Sequence, residues 1–277
     1  MIDKGRPFYK MSGSGNDFVF VDVRRTPAGT LAGADNVQAL CARGTGVGAD
    51  GIVFLDQGTS APVAIRYLNS DGSVADLCGN ATLCAARLAM ELGMVSGHRD
   101  FTIETDSGDV TARFREGRPE IDLQPVVDVQ DCFQADVEAA ETRIGFALVG
   151  VPHLVVLCKD VSKAPVVERG RRLRRHAKLA NGANVNFVSR AKEGWRIRTY
   201  ERGVEAETLA CGTGAVATAL LLAAWGEARD AVELETRSGR SLRVRLRSKG
   251  GQHFASLSGE ARIVFFGEIG EAFPTTP

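Results

Sequence analysis

The sequence has no excess of charge and no long apolar run. It contains 34 Lys and Arg against 34 Asp and Glu in 277 residues. A neutral chain gives no electrostatic indication of a nucleic-acid or membrane partner, and we expect neither. The longest apolar stretch, residues 215–225, is far too short to span a bilayer. The first residues lack the apolar core of a signal peptide, so we expect a cytoplasmic protein.

Cysteine and histidine are present, but not in metal-binding arrangements. Six cysteines in a chain of this length do not make a dense disulfide framework. No two of them are spaced as CxxC, and the four histidines lie far apart along the chain. We therefore expect no metal site. The balance of 44% hydrophobic and 25% charged residues is that of an ordinary globular protein with one or two domains.

Two cysteines share a local pattern. Cys78 and Cys211 are each followed by a glycine and then by a run of small apolar residues. Each run ends at a second glycine, Gly93 or Gly226, at the same distance from its cysteine. The two motifs lie nearly half a chain length apart. This repetition predicts a duplicated half-molecule in which each half supplies one thiol.

The order of predicted elements is also repeated. In each half a strand leads into the cysteine loop, and a helix and a hairpin follow. The helices are predicted at 81–92 and 215–224, and the hairpin turns at 106–108 and 238–240. Further strands are predicted at 18–23, 50–55, 63–69, 100–105, 109–114, 146–149, 154–158, 184–189, 195–200, 232–236, 241–246 and 261–268.

Two prolines, at 119 and 125, mark the crossing between domains. We predict an N-terminal domain over 1–121 and a C-terminal domain over 122–265. A C-terminal strand at about 266–277 is expected to return to the first domain.

Both cysteines are predicted to lie where a helix begins. Asn80 and Thr213 are suitable N-cap residues, and Gly79 and Gly212 allow a ligand to approach the backbone closely. A helix N-terminus presents unpaired N–H groups and partial positive charge. Such an end lowers the pKa of a nearby thiol and binds a carboxylate.

A thiolate and a thiol on opposite faces of one carbon can invert a stereocentre. The thiolate removes the α-proton, and the thiol returns a proton to the other face, so no cofactor is required. The alternative for a single cysteine before a helix is a small buried apolar residue. The matched pair favours the chemical role for Cys78 and Cys211, and the other four cysteines are interpreted as core or incidental.

Several motifs resemble one known family. Residues 11–18, MSGSGNDF, resemble the opening MxGxGNDF of the diaminopimelate epimerase family. The segments 69–73 with 78–80, 152–153, 183–187, 200–203 and 207–214 are similar to its later motifs. The resemblance runs from residue 10 to about 268.

This resemblance implies an α/β fold with mixed sheets, in two pseudo-symmetric domains that each wrap a curved sheet around a central helix. The active site is expected in the cleft between them. The implied activity is that of a PLP-independent isomerase that interconverts LL- and meso-diaminopimelate for lysine and peptidoglycan precursor biosynthesis. The expected assembly is a homodimer whose only other partner is the small amino-acid substrate.

The resemblance also implies roles for individual residues. Cys78 and Cys211 would be the acid–base pair. The substrate's reacting carboxylate would lie against the backbone amides of Gly79, Asn80, Gly212 and Thr213. The distal amino-acid end would be held by Asn16, Asn69, Asn184, Glu201 and Arg202. His153 and Glu201 match family positions that lie near the thiols.

The chain departs from the family pattern at three places. Val151 stands where the family usually has Asn, and Ala81 stands where it often has Gly. One extra residue, Glu205 or Ala206, lies between Arg202 and Cys211. Val151 leaves a related amino-acid racemase open as an alternative, with histidine as one candidate substrate. A second alternative is a thiol redox or ligand-binding protein in which Cys78 and Cys211 form a reversible disulfide.

A basic run covers residues 169–176. It has no interleaved aromatic residues, and the chain has no net basic charge. We therefore interpret it as a solvated helix face and not as a nucleic-acid site.

Overall fold

The computed structural model describes residues 5–74 and 78–270. Residues 75–77 of the first cysteine motif and 271–277 of the predicted C-terminal strand lie outside the described residues. The chain divides into two compact units. Unit 1 contains the residues up to Ile121 and those from Glu260 onward, and unit 2 contains Asp122–Gly259. In the described part of the chain, no helix combines the length and apolar character that crossing a membrane would need.

Strands dominate both units. The helices are α1 (Ala34–Cys41), α2 (Gly79–Glu91), α3 (Val166–Arg174) and α4 (Gly212–Ala224). The strands, in chain order, are β1 (Arg6–Gly13), β2 (Asn16–Asp22), β3 (Gly51–Asp56), β4 (Val63–Asn69), β5 (Phe101–Thr105), β6 (Gly108–Arg115), β7 (Arg118–Asp122), β8 (Val129–Gln130), β9 (Glu141–Val149), β10 (Val151–Cys158), β11 (Asn184–Arg190), β12 (Trp195–Glu201), β13 (Ala206–Thr208), β14 (Ala231–Glu235), β15 (Ser241–Lys249), β16 (Gln252–Gly259) and β17 (Arg262–Ile269).

The two units have the same sheet topology. Unit 1 pairs its strands in the order β17-β1-β2-β3-β4-β5-β6-β7. Unit 2 pairs them in the order β8-β9-β10-β11-β12-β14-β15-β16. In both units the third and fifth pairings are parallel and the other five are antiparallel. The expected α/β class with pseudo-symmetric halves is confirmed, and β13 adds a short hairpin to β12.

Each sheet packs on one central helix. The helices α2 and α4 are both 13 residues long, and 10 residues of each are buried. Leu220, Leu221 and Leu222 of α4 are consecutive and all buried, so α4 is covered on every side. The sheet approaches this helix closely at Gly145 of β9, where an added Cβ would lie 2.6 Å from Leu221 Cδ2. A side chain at this position would displace the buried side chain of Leu221, so glycine permits the close packing of the sheet on the helix.

The interpretation of the basic run as a solvated face is wrong at one residue. The run falls on the second half of α3 and just beyond it, and Arg169 is only 6% exposed. Its Nε and Nη2 atoms donate to the two carboxylate oxygens of Glu141, each at 2.8 Å. A buried guanidinium requires such a partner, and Glu141 at the start of β9 supplies it. Arg171, Arg172 and Arg175 are exposed, as expected.

Candidate active site

Cys78 and Cys211 themselves occupy the N-cap positions of α2 and α4. Both have extended backbones, with φ and ψ of −106° and 105° for Cys78 and −139° and 111° for Cys211. Each carbonyl already accepts the first helical bond, from Thr82 N at 2.9 Å and Ala215 N at 3.0 Å. The expectation that Asn80 and Thr213 are the caps is therefore wrong. The helices begin at the glycines directly after the cysteines, which places Asn80 and Thr213 second in each helix.

The Cys211 sulfur takes the place of a capping oxygen. The backbone N–H of Gly214 donates to Sγ at 3.4 Å, and Sγ lies 3.6 Å from Thr213 Oγ1. An N-cap side chain that accepts from the third helical residue satisfies one of the unpaired N–H groups of the helix end. Hydrogen bonds to a sulfur favour its negatively charged form over its protonated form. The geometry is therefore suited to a thiolate at Cys211.

Three other cysteines differ from this pair in burial. Cys78 and Cys211 are partly exposed, whereas Cys41, Cys84 and Cys158 are buried. Burial raises the pKa of Cys41 to about 11 and that of Cys158 to about 12. It also raises the pKa of Cys84 well above its ordinary value. These three thiols stay protonated near neutral pH, which is consistent with their interpretation as core residues.

In unit 1 the structure brings two of the predicted site residues into contact. The Nδ2 atom of Asn80 donates to Asn16 Oδ1 at 2.6 Å. Asn16 in turn donates from Nδ2 to Asp50 Oδ2 at 3.0 Å. Asn69 is the last residue of β4, where it pairs with Gly51, the residue after Asp50, and its Nδ2 donates to Ser73 Oγ at 3.0 Å. Asp50 orients Asn16 but was not predicted, because its position directly before β3 resembles an ordinary strand boundary.

In unit 2 a second pair is formed. The backbone N–H of Arg202 donates to Asn184 Oδ1 at 2.7 Å, which joins the start of β11 to the end of β12. The Arg202 guanidinium donates from Nη1 to the carbonyl of Asn181 at 3.3 Å. Glu201 is the last residue of β12 and directly precedes Arg202. Asn184, Glu201 and Arg202 therefore lie close together, as the sequence motifs indicated.

His153 is buried within β10 and is not a loop residue. Its side chain is fully enclosed, and Asn186 Nδ2 lies 3.2 Å from its Nδ1. Burial, together with the positive charge of Arg202, lowers the pKa of His153 to about 3. The imidazole is therefore neutral at physiological pH. Asn186 was not predicted, although it shares a strand face with Asn184 because alternate residues of a strand point the same way.

The three departures from the family motif have distinct surroundings. Glu205 has a φ of +57°, and its carboxylate accepts from Arg174 Nε at 2.7 Å and from the Tyr200 hydroxyl at 3.2 Å. This residue therefore anchors the loop between β12 and β13. Ala81 is buried in the first turn of α2, and Val151 is the first residue of β10. Over residues 5–74 and 78–270, no group of three or more His, Cys, Asp or Glu side chains is arranged to hold a metal ion.

Comparison with known proteins gives a consistent result. A family model described as diaminopimelate epimerase matches residues 8–126 and 145–264. A diaminopimelate epimerase from Gemmatimonas aurantiaca is 47% identical over 275 residues, which cover 95% of this chain and 98% of the relative. The chain belongs to the diaminopimelate epimerase family. It is therefore an isomerase, and the matched segments of the family model contain both Cys78 and Cys211.

Solved structures with low sequence identity share the fold of this family member. A phenazine biosynthesis protein of the PhzF family from Bacillus anthracis has a TM-score of 0.74 at 16% identity, over 96% of this chain and 99% of that one. A hydroxyproline epimerase from Agrobacterium vitis has a TM-score of 0.68 at 18% identity, over 95% and 92% of the two chains. At this level of identity the likeness shows the fold alone.

Proposed function

We propose that this isomerase interconverts LL- and meso-diaminopimelate, with Cys78 and Cys211 as its acid–base pair. The observation that carries the proposal is the matched placement of the two cysteines. Each is the N-cap of the central helix of its unit, in a chain whose nearly full-length relative is a diaminopimelate epimerase. A core cysteine would have no reason to be placed identically in both units and partly exposed in both.

The proposed reaction moves one proton off the α-carbon and another onto it. One sulfur, as thiolate, takes the α-proton, so the C–H bond breaks, an S–H bond forms and the electron pair stays on the substrate. The other sulfur, as thiol, delivers its proton to the opposite face. The thiol and thiolate have then exchanged roles, which prepares the enzyme for the reverse direction. All groups in this scheme come from the chain and the substrate.

The N-terminal ends of α2 and α4 are suited to stabilise the negative charge that develops in this reaction. The first N–H groups of α2 and α4 have no partner within their helices, and they carry partial positive charge. We infer that the amides of Gly79, Asn80, Gly212 and Thr213 bind the reacting carboxylate. Negative charge grows on that carboxylate as the α-proton leaves, so fixed N–H donors stabilise the transition state more than the ground state.

The distal end of the substrate carries an ammonium and a second carboxylate. We infer that Asn16, Asn69, Asn184, Glu201 and Arg202 hold this end. Arg202 suits the carboxylate, Glu201 suits the ammonium, and the amides serve either group. The contacts of Asn16 with Asp50 and of Asn184 with Arg202 pre-orient two of the three amides. Pre-orientation reduces the entropy lost on binding.

The test is α-proton exchange followed by NMR in D2O. Reduced enzyme is incubated separately with LL-diaminopimelate, meso-diaminopimelate and L-histidine. Loss of the α-proton signal and appearance of the second stereoisomer with diaminopimelate alone would support the proposal. Exchange with histidine alone would indicate a related racemase, and exchange with none of them in any thiol state would favour a redox or ligand-binding protein.

Cysteine variants test the two-thiol mechanism within the same assay. Cys78→Ala and Cys211→Ala should each abolish epimerisation. Cys132→Ser, at an exposed cysteine outside the scheme, serves as the matched control and should leave the rate unchanged. Thiol oxidation should inactivate the enzyme reversibly, with activity restored by a reductant. Full activity in either alanine variant would contradict the assignment.

We also propose a cellular location and an oligomeric state. A mechanism that needs reduced thiols fits a reducing compartment, so we propose a cytoplasmic location, which cell fractionation would test. We also propose a homodimer. Val264 and Phe266 lie on one face of β17 and are both exposed, Phe266 by 80%, and exposed apolar side chains of this kind are typical of protein interfaces. Light scattering should give twice the chain mass, and Phe266→Ser should shift the mass toward the monomer.

A further inference from the structure

The shared topology of the two units allows their residues to be matched one by one. In unit 1, Phe18 of β2 pairs with Gly51, the first residue of β3. In unit 2, His153 of β10 pairs with Asn184, the first residue of β11, so His153 is equivalent to Phe18. The same registers make Asn186 equivalent to Val53, and their partners on the next strand are Thr199 and Tyr67.

The equivalent positions differ in chemistry. Unit 1 places apolar and aromatic side chains there, and Phe18 and Tyr67 form an edge-on pair with centroids 5.9 Å apart. Unit 2 has three polar side chains there, His153, Asn186 and Thr199, and all three are buried. The fold is therefore stable without a polar cluster at this place. A buried polar network costs desolvation, so its presence in only one unit indicates a functional role.

The contacts of Asn186 fix the orientation of its amide. Nδ2 donates to the carbonyl oxygen of Leu154 at 3.0 Å, and Oδ1 accepts from Thr199 Oγ1 at 2.9 Å. A carbonyl oxygen can only accept, so the atom facing Leu154 must be the nitrogen and not the oxygen. The second proton of Nδ2 then points to His153 Nδ1, 3.2 Å away.

This orientation determines the tautomer of His153. An Nδ1 atom that accepts from Asn186 carries no proton, so the neutral ring carries its proton on Nε2. Burial keeps the ring neutral, because it lowers the pKa of His153 to about 3. Within the described residues, buried Nε2 has no hydrogen-bond partner. His153 is therefore a fixed hydrogen-bond donor and does not compete with a thiolate for a proton near neutral pH.

Asn186 also contacts the helix turn that carries Cys211. A Cβ added at Gly214 would lie 2.3 Å from Asn186 Oδ1 and 3.2 Å from Cys211 Sγ. The amide oxygen and the sulfur thus both lie close to the same point in the first turn of α4. The equivalent third residue of α2 is Ala81. It carries a Cβ, whereas a Cβ at Gly214 would overlap Asn186.

We propose that Asn186 is a positioning residue for the reaction at Cys211: it holds His153 as the neutral Nε2–H donor and packs against the first turn of α4. This inference rests on the proposed epimerase function. Asn186 itself touches no reacting atom in this assignment. Asn186 affects the rate indirectly, by orienting His153 and by placing the turn that carries Cys211. Within its described residues, unit 1 has no equivalent polar residue near Cys78.

The first test reads the tautomer in the wild-type enzyme. Long-range 1H–15N NMR of histidine-labelled protein distinguishes a protonated from an unprotonated ring nitrogen, and His153→Asn identifies the His153 signals. We expect an Nε2–H pattern that persists from pH 8 to pH 5. An Nδ1–H pattern or a charged ring in this range would overturn the proposal. The spectrum requires no turnover, so a failure of the proposed epimerase activity would leave this result interpretable.

The second test compares matched variants. Asn186→Val should lower kcat by about 10- to 100-fold, by analogy with the loss of a group that orients a metal-bound histidine, with little change in KM. It should also mix the two tautomers. Thr199→Val is the comparison variant: it removes the hydroxyl that donates to Asn186 Oδ1 but leaves both bonds from Nδ2, so the tautomer should be retained and kcat should fall less than in Asn186→Val. Equal kcat losses in the two variants, or none in Asn186→Val, would overturn the proposal.

A double variant separates stability from positioning. Asn186→Val combined with Gly214→Ala reproduces the residues at the equivalent positions of unit 1, Val53 and Ala81. The added Cβ no longer meets an amide oxygen, so the double variant should unfold at higher urea concentration than Gly214→Ala alone. Its kcat should nevertheless stay as low as that of Asn186→Val. Recovery of kcat together with stability would show that Asn186 has only a structural role.

Discussion

The buried imidazole of His153 makes a quantitative prediction about the pH dependence of stability. The folded protein keeps this ring neutral down to about pH 3, because burial lowers its pKa from 6.5. The unfolded chain takes up a proton below its ordinary pKa of about 6.5. Protonation therefore favours the unfolded state, and the free energy of unfolding falls as the pH drops through 6.5. Linkage gives a loss of about 2 kcal/mol between pH 7.5 and pH 5 from this residue alone.

Urea unfolding at the two pH values measures this loss. His153→Asn keeps an acceptor for Asn186 but removes the titrating ring, so its stability should fall by about 2 kcal/mol less than that of the wild type. The contributions of all other titrating groups are the same in the two proteins and cancel when their losses of stability are subtracted. His98→Asn, at an exposed histidine, is the matched control and should behave as the wild type does. Parallel pH dependences in wild type and His153→Asn would refute the reasoning, because they would show that the ring takes up its proton equally in both states.

Three further substitutions test the packing. Gly214→Ala places a Cβ 2.3 Å from Asn186 Oδ1, and we expect a loss of about 1–3 kcal/mol in urea unfolding together with slower D2O exchange. Glu141→Gln removes the closer of the two carboxylates that pair with buried Arg169 and leaves Glu138, so unfolding should become easier by about 1.5–3 kcal/mol, and a loss under 1 kcal/mol would contradict that account. Leu221→Ala replaces a fully buried side chain of α4 by a cavity and should cost about 2–5 kcal/mol, measured by calorimetry or urea unfolding.

The elements around the cysteines were predictable because their patterns are local. The strand predicted at 63–69 has those bounds in the structure, and both central helices were found from their apolar runs. The starts of the helices were missed by two or three residues. Asn and Thr are preferred caps, so a cysteine that caps its own helix is not expected from propensity. The strands β1, β7, β8, β13 and β16 were not predicted.

The candidate site was predictable in its residue types and less so in its internal contacts. The motifs named Asn16, Asn80, Asn184 and Arg202, and the structure joins them in two pairs. Asp50 and Asn186 were missed, because their roles depend on which strands pair and in which register. Register is a tertiary property, set by the whole sheet, and a single sequence does not display it.

The pairing of β1 with β17 has a consequence for how the chain folds as it is synthesised. Unit 2 is continuous in sequence, so all its strands are available once Gly259 has left the ribosome. Unit 1 still lacks β17 at that moment, and one edge of β1 stays open until Arg262–Ile269 have been made. Contacts this distant in sequence form late and slowly. We therefore expect unit 2 to fold before unit 1, which reverses the usual N-to-C order. Unit 1, although most of it is synthesised first, should depend on chaperones for longer.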